Sequence, residues 1–459
     1  MVQADIERAA DVRFDIDCDV LVVGAGACGL TAALAVADAG REAVLLERDA
    51  SPTGSTSLSS GMVPAAGTAA QQRLGIVDSH SLFAADIQAK AKGAAPQALV
   101  ETLASQSGST IDWLTNEHDI PFSVVEGFLY PGHSVSRMHA TPARTGADLQ
   151  QRLLARVQAT GGELVTNATV ATLLMDEHRV SGVRVRRPDG NTETVGCRQL
   201  ILACNGYGGN ARLVEELIPE MADGEYFGHP GNQGDAVYWG RALQASMGSL
   251  GAYQGHGSVA SPHQVLITWA LMMEGGIQVN ADGERFSNEH DGYSEQSVRV
   301  LAQPGRIAWN IFDAELHELG MEFEDYRNAV SQGALVSAMS VSELANQLGL
   351  PESTLAASVA TTATQIVCPF GRDFSRTRPL AAPFHAIRVT GALFHTQGGL
   401  DVNAQARVLR QNGQPFPNLF AGGGAARGVS GNHVWGYLSG NGLLSAITLG
   451  RLAGRNAAA

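Results

Sequence analysis

Short, wholly apolar runs that end in glycine-rich turns set the pattern of this chain from its first fifty residues. Residues 20–23 (Val-Leu-Val-Val) predict a buried strand, and Gly24, Gly26 and Gly29 follow it in GxGxxG spacing. An alanine-rich stretch, 30–39, predicts a helix that stops at Gly40, and a second apolar strand, 43–46, ends in Glu47 and Arg48. Each glycine answers a physical need: Gly24 permits the tight turn, Gly26 lets backbone approach a pyrophosphate, and Gly29 lets helix and strand pack closely. The pyrophosphate then rests on the helix N-terminus, beside Cys28. A carboxylate at the end of the second strand, Glu47, can accept from both ribose hydroxyls, with Arg48 next to it. Strand, glycine turn, helix and terminal acid together predict a dinucleotide site.

Further along, 54–62 is a loop of small hydroxylated residues suited to lie flat against a ring system. Residues 146–160 predict a helix, 163–174 a strand, and 180–187 its hairpin partner. The buried strand 199–203 runs out into Cys204, Asn205 and Gly206, a return to the nucleotide side of the sheet. From 253 to 383 the pattern changes to Trp, Met and His among helical segments, such as 341–348 with Ser340 and Glu343 placed as a capping box. Strand, glycine loop and helix resume at 398–402, 418–424 and 440–452. The expected architecture is α/β: a discontinuous Rossmann-like domain, 1–252 and 384–459, with an α+β substrate or capping domain, 253–383, inserted.

Composition agrees with an α/β enzyme of two domains, since 459 residues exceed a single core, glycine numbers 53 and aromatics are 6%. The net charge of −14 gives nucleic acid or an anionic membrane no electrostatic reason to approach. The five cysteines show no CxxC and no metal-ligand spacing, so they read as reduced thiols, with no metal site. No apolar run reaches 18 residues and no leader pattern opens the chain; a cytoplasmic protein without a membrane span is expected.

GAGACG with Glu47, ILACNGYGGN (201–210), DGERFSNE (282–289), HTQGGLDV (395–402), NLFAGGGAARGVSGN (418–432) and NGLLSA (441–446) resemble the FAD-dependent family of soluble fumarate reductases, urocanate reductases and 3-ketosteroid Δ1-dehydrogenases, over nearly the whole chain. The resemblance makes the dinucleotide FAD. It adds Ser55, Thr56, Ser60, Gly61, Val170, Ala203, Asn205, Gly206, Gly423 and Gly424 to the cofactor contacts, and places the flavin ring at Asn441, Gly442 and Leu443. Relatives with covalent flavin carry a histidine in the loop equivalent to 54–62. This chain has none, so the FAD is expected to be non-covalent.

At the reaction centre the resemblance divides. Fumarate reductases carry an arginine proton donor a few residues beyond the NE of DGERFSNE; here that position is Tyr293. Their relay also departs, with Thr268-Trp269 where they have Thr-Glu and Met272 near the next relay arginine. Ketosteroid dehydrogenases instead place a catalytic tyrosine five residues after that asparagine, as Tyr293 is after Asn288, and a second in a glycine-rich turn before the last FAD helix, as Tyr437 is. The implied roles are Tyr293 as base, Tyr437 with a backbone amide at 440–442 (Gly440 foremost) as holder of a carbonyl oxygen, and His256 and His395 as pocket residues. Tyr130 reads as a turn-packing residue, and Arg137 and Arg144 as surface or phosphate-pairing groups. The expected reaction is α,β-desaturation of a ketone, cyclic and as small as 4-oxocyclohexanecarboxylate or as large as a 3-ketosteroid, with an electron acceptor the sequence does not name. The competing expectations are reduction of an activated C=C bond of the fumarate or urocanate type and, third, a flavin-binding sensor or scaffold.

Overall fold

A computed structural model describes residues 5–10, 12–126, 129–364, 367–375 and 377–459. The chain forms two compact units, one of Met1–Ile218, Gly228–Tyr253 and His395–Ala459, the other of Pro219–Phe227 and Gln254–Phe394.

In the first unit, strand Ile16–Val23 runs parallel to Ala43–Leu46 on one side and to Thr192–Leu202 on the other. Glu163–Val165 adds a further parallel strand beyond Ala43–Leu46, and Pro415–Ala421 lies parallel to the last residues of Thr192–Leu202. Both ends of the chain therefore feed one sheet. The expected single strand 163–174 is two strands: Glu163–Val165 and Thr169–Asp176 lie at opposite sides of that sheet. Asn167, at φ 53°, turns the backbone between them, and the amides of Asn167 and Ala168 bond the carbonyls of Asp49 and Glu47 instead of continuing a ladder. Thr169–Asp176 then pairs antiparallel with Arg179–Arg186, the expected hairpin.

Helix Ala27–Asp38 packs directly on the C-terminal helix Asn441–Ala457, and glycine allows it. A Cβ on Gly450 would lie 2.5 Å from the Cys28 carbonyl oxygen, and one on Gly454 2.2 Å from that of Ala32. The contacts advance by four residues on each helix, so the two run parallel with their N-termini toward the same end.

The second unit is built on the long strand Phe384–Thr396, which pairs antiparallel with Ile307–Asp313 and Leu335–Ala338 and parallel with Glu225–Tyr226. That last pairing explains why Pro219–Phe227 belongs here and why the unit runs on to Phe394, past the boundary expected at 383. Its core gathers Ile277, Ile311, Phe312, Tyr326, Ala386 and Ile387, all fully buried. Helix Val341–Leu348 starts as expected, with Ser340 Oγ accepting from Glu343 N at 3.1 Å, but Glu343 reaches back to Met339 N (2.8 Å) rather than to Ser340.

Gly454→Leu is expected to lower stability by about 3 kcal/mol or more, because the added side chain must push two backbones apart. Thermal unfolding of the FAD-loaded protein measures it, and an unchanged midpoint would contradict the close helix approach.

Candidate functional site

The glycine turn after Ile16–Val23 is tight for a steric reason. A Cβ on Gly24, which has φ 101°, would lie 2.5 Å from the Ala203 carbonyl oxygen, and one on Gly29 1.9 Å from the Gly24 carbonyl oxygen. Gly26 N-caps helix Ala27–Asp38 with extended backbone. Thr56, in the short helical turn Gly54–Ser57, accepts the Ala27 amide at 3.0 Å on its hydroxyl and closes one side of that helix N-terminus. Glu47 lies at the loop's edge, its two carboxylate oxygens accepting from Ala25 N and Asp49 N, both at 3.0 Å. The Arg48 guanidinium is taken up by Asp49 and the Gly231 carbonyl, which makes it a brace of this unit. Ser55 Oγ accepts from Asn232 Nδ2 at 2.8 Å, Gly61 (φ 67°) packs on the Thr145 carbonyl, and Ser60 is exposed. Asn205, at φ 65°, folds its own Oδ1 onto Gly206 N (2.8 Å), and Gly424 packs against that Oδ1. Cys28 and Val170 are buried beside this end of the sheet, and burial raises the Cys28 thiol to about 12, so it stays a thiol.

The second end of the site is the start of Asn441–Ala457. Gly440, at φ 84°, N-caps that helix in the left-handed region. Asn441 is fully buried, and neither its side-chain oxygen nor its nitrogen has a hydrogen-bond partner among the described residues; Ser445 Oγ, one turn on, is alike. Orphaned buried amides are rare in folded proteins and mark a missing ligand. The residues present fit FAD: a diphosphate cradle at one helix N-terminus, and at the parallel second one a buried amide with nothing to bond.

Tyr437 lies just before this helix and is buried. Burial pushes its pKa above the usual value and outweighs the lowering by the backbone amides of Gly440 and Gly442, so at neutral pH Tyr437 is a phenol able to donate. His395 meets Tyr437 edge to face, centroids 5.4 Å apart, and Gly442 has room for no Cβ because one would lie 2.9 Å from the ring. Gln397 Nε2 lies 3.1 Å from His395 Nδ1, and the Thr396 carbonyl oxygen lies 3.4 Å from the same nitrogen. Burial lowers the His395 pKa to about 4, so the ring is a neutral donor.

The other two expected site residues meet in the second unit. Tyr293 is the first residue of helix Tyr293–Leu301, after Gly292 at φ 131°, and its ring stacks on His256 with centroids 4.9 Å apart and planes 21° from parallel. His256 is further boxed by Trp269 and Phe394, and its Nδ1 accepts from Ser258 N at 3.1 Å. Burial lowers it to about 3, so this ring too is neutral. The ring beside Tyr293 is therefore His256.

Sequence reasoning missed three things here. Glu289 of DGERFSNE is a buried ion-pair hub, bound by Arg285 (2.6 Å) and Arg372 (2.9 Å). Arg137 is buried, not on the surface, paired with Asp78 and Asp86. Gln397, which contacts His395 Nδ1, could have been suspected from its place in HTQGG. Tyr130 bonds the Met62 sulfur at 2.8 Å, in keeping with packing.

A split parallel sheet with a glycine cradle at one helix N-terminus and an unfilled amide at a second is the site of an FAD-dependent oxidoreductase. The chain belongs to the FAD binding domain family, whose profile matches residues 19–443. A probable fumarate reductase of Shewanella frigidimarina is 30% identical, over 99% of this chain and 77% of that protein. The open conformation of a flavocytochrome c3 fumarate reductase superposes with a TM-score of 0.82 at 29% identity, covering 97% of this chain and 78% of that one. A 3-ketosteroid-Δ4-(5α)-dehydrogenase of Rhodococcus jostii shares the fold, with a TM-score of 0.79 at 24% identity over 99% of this chain and all of that one. FAD is the cofactor, and the protein is an FAD-dependent oxidoreductase related to the fumarate reductases. No described helix is long and apolar enough to cross a membrane.

Asn441→Ala is expected to weaken FAD binding about tenfold or more while leaving the apoprotein as stable or more so, because it removes a buried amide whose partner is the cofactor. Flavin titration and apoprotein melting read the two effects; equal FAD affinity would refute the assignment. Four buried imidazoles, His133, His139, His256 and His395, have pKa values lowered from 6.5 to between about 3 and 4. The unfolded chain therefore binds more protons than the folded one as pH falls from about 6.5 to 4, and stability is full above that window and lost through it. Each ring that stays neutral costs about 2 kcal/mol at pH 5. A melting temperature that does not fall between pH 7 and pH 5 would contradict this.

Proposed function

We propose that this protein desaturates the α,β C–C bond of a ketone, most simply a cyclic one. The observation that carries the reading is Tyr437: a buried phenol just before the start of a helix, held protonated by its burial. An α-C–H next to a carbonyl is a very weak acid, so proton removal needs the carbonyl oxygen held as it gains charge. The Tyr437 O–H donates to that oxygen, and the amides of Gly440 and Gly442 make it the stronger donor as they polarise it. Tyr293, as its phenolate, takes the α-proton and becomes the phenol, with the stacked His256 fixing its ring. FAD, when bound, supplies a two-electron acceptor for the hydride that leaves the β-carbon. The neutral His395 N–H is a further donor to the substrate. The FAD is held without a covalent bond, since 54–62 offers no histidine.

The second reading is reduction of an activated C=C bond, favoured by the 30% identical fumarate reductase relative. Tyr293 then delivers a proton instead of accepting one. Against it stand Tyr293, Trp269 and Met272, where the family's reductases carry arginine, glutamate and arginine.

Anaerobic mixing with cyclic ketones is expected to bleach the oxidised flavin, and reduced enzyme is expected to stay reduced with fumarate or urocanate. No bleaching, with reoxidation by either acid, reverses the assignment. Tyr293→Phe is expected to lower turnover at least a hundredfold with FAD still bound; retained activity would remove Tyr293 as the proton-transfer group.

A further inference from the structure

Helix Tyr293–Leu301 lies directly on strand Tyr253–Ala260, and a glycine on either side of His256 permits it. A Cβ on Gly255 would lie 2.0 Å from Ser297 Oγ, and one on Gly257 2.7 Å from the Gln296 carbonyl carbon. Ser294 Oγ accepts from Gly255 N at 2.9 Å. Three buried carboxamides that the proposed proton path does not use join this contact: Gln278 on strand Ile277–Val279, Gln296 on the helix, and Asn310 on strand Ile307–Asp313.

One main-chain group fixes the orientation of all three. Gln278 Nε2 lies 2.8 Å from the Gly257 carbonyl oxygen, which can only accept, so its Oε1 is turned to Gln296 Nε2, also at 2.8 Å. Gln278 Nε2 donates again to Asn310 Oδ1 (2.8 Å), which leaves Asn310 Nδ2 to donate to Ser258 Oγ (2.6 Å). Gln296 Oε1 accepts from Ser287 Oγ at 2.9 Å. Every nitrogen and oxygen of the three carboxamides thus has a partner, and a closed network of this kind holds one arrangement of the elements it joins. Its two ends are the two carriers of the stacked rings. Gln296 N bonds the Gly292 carbonyl at 3.2 Å and closes the helical turn that begins at Tyr293, while Ser258 N donates to His256 Nδ1 at 3.1 Å. We propose that Gln278 and Gln296 are positioning residues for Tyr293: by tying the first turn of its helix to the strand residues beside His256, they set the place of the Tyr293 ring on the His256 ring. Their effect on turnover rests on the ketone-desaturation reading; their effect on the stack does not.

Two measurements on the FAD-loaded enzyme separate these. The first follows the ring C–H resonance of His256 by NMR with isotope-labelled histidine, assigned by its loss in His256→Gln. A stacked aromatic ring displaces that resonance, so Tyr293→Leu is expected to move it. The triple variant Gln278→Met, Gln296→Met, Asn310→Leu replaces the partners together by apolar groups of like shape, at little cost in stability, and is expected to move the resonance at least half as far in the same direction. Gln296→Met alone, which releases only the helix end, is expected to move it the same way and stands in for the triple variant if that does not fold. A resonance unmoved by the network variants, or unmoved by Tyr293→Leu, overturns the proposal. In the second measurement, kcat with a cyclic ketone is expected to fall about tenfold in the triple variant with KM little changed, because a misplaced proton-transfer group slows the chemical step without loosening binding. A moved resonance with unchanged kcat overturns their part in turnover. If the natural enzyme turns over no ketone, the functional reading fails while the resonance still decides the role of the two glutamines.

Discussion

The organisation of the first unit depends on two helices touching backbone to backbone. Gly450 over Cys28 and Gly454 over Ala32 are places where even one methyl group would collide with a carbonyl oxygen. Because the contacts advance together, the helices are parallel, and because Cys28 is the second residue of its helix and Gly450 the tenth of the other, their starts are offset by eight residues. At 1.5 Å per residue that offset is about 12 Å. Two positive helix ends therefore face the same way at two depths, one suited to the diphosphate and the other to the ring of one extended cofactor. Residues more than four hundred positions apart in sequence are placed by that single close approach.

Several buried candidate groups are neutral in a chain of net charge −14. His395 and His256 are each held uncharged by burial, and Tyr437 is held as a phenol. Such an arrangement stabilises charge that develops during reaction without favouring a charged ground state, and its dipoles are oriented before substrate arrives. The ionic groups of the second unit do different work. Glu289 is shared by two buried arginines and is held well below its usual pKa by them against burial, chiefly by Arg372. That cluster fixes the segment leading to Tyr293, and breaking it leaves a buried charge without a partner.

What the sequence made legible was local. The glycine spacing, the apolar strand before it and the acid after the next strand are dictated by contacts within some thirty residues, and the helices at 146, 341 and 441 announce themselves by period, that at 341 by its cap as well. The split at Asn167 was missed because an apolar run reads as one strand whatever its middle residue does, and only a left-handed backbone angle divides it. Glu225–Tyr226 could not be assigned to the second unit because two residues carry no period, and their place is set by a pairing with Ala392 and Leu393. The tyrosines were visible through resemblance alone. Their ring neighbours, His256 for Tyr293 and His395 for Tyr437, were on the page as candidates but not as pairs, since no spacing rule joins residue 256 to residue 293 or 395 to 437.

A tyrosine in place of an arginine changes more than the identity of a proton donor. A guanidinium stays protonated to a pKa above 12, so it serves as an acid only toward a much stronger base, and a relay must return its proton. The phenol–phenolate couple near pKa 10 lies between solvent and a ketone α-carbon, so the phenolate takes a proton and the phenol gives one according to which side of the reaction is loaded. If the proposed reading holds, microscopic reversibility has the same Tyr293 and Tyr437 serve desaturation and its reverse. Under the proposed reading the relay positions are then free to be apolar, and Trp269 and Met272, both buried, are what stands there. Direction is left to the substrate that enters and to the partner that exchanges electrons with the flavin, while the polypeptide fixes the proton's path and the place of the carbonyl oxygen.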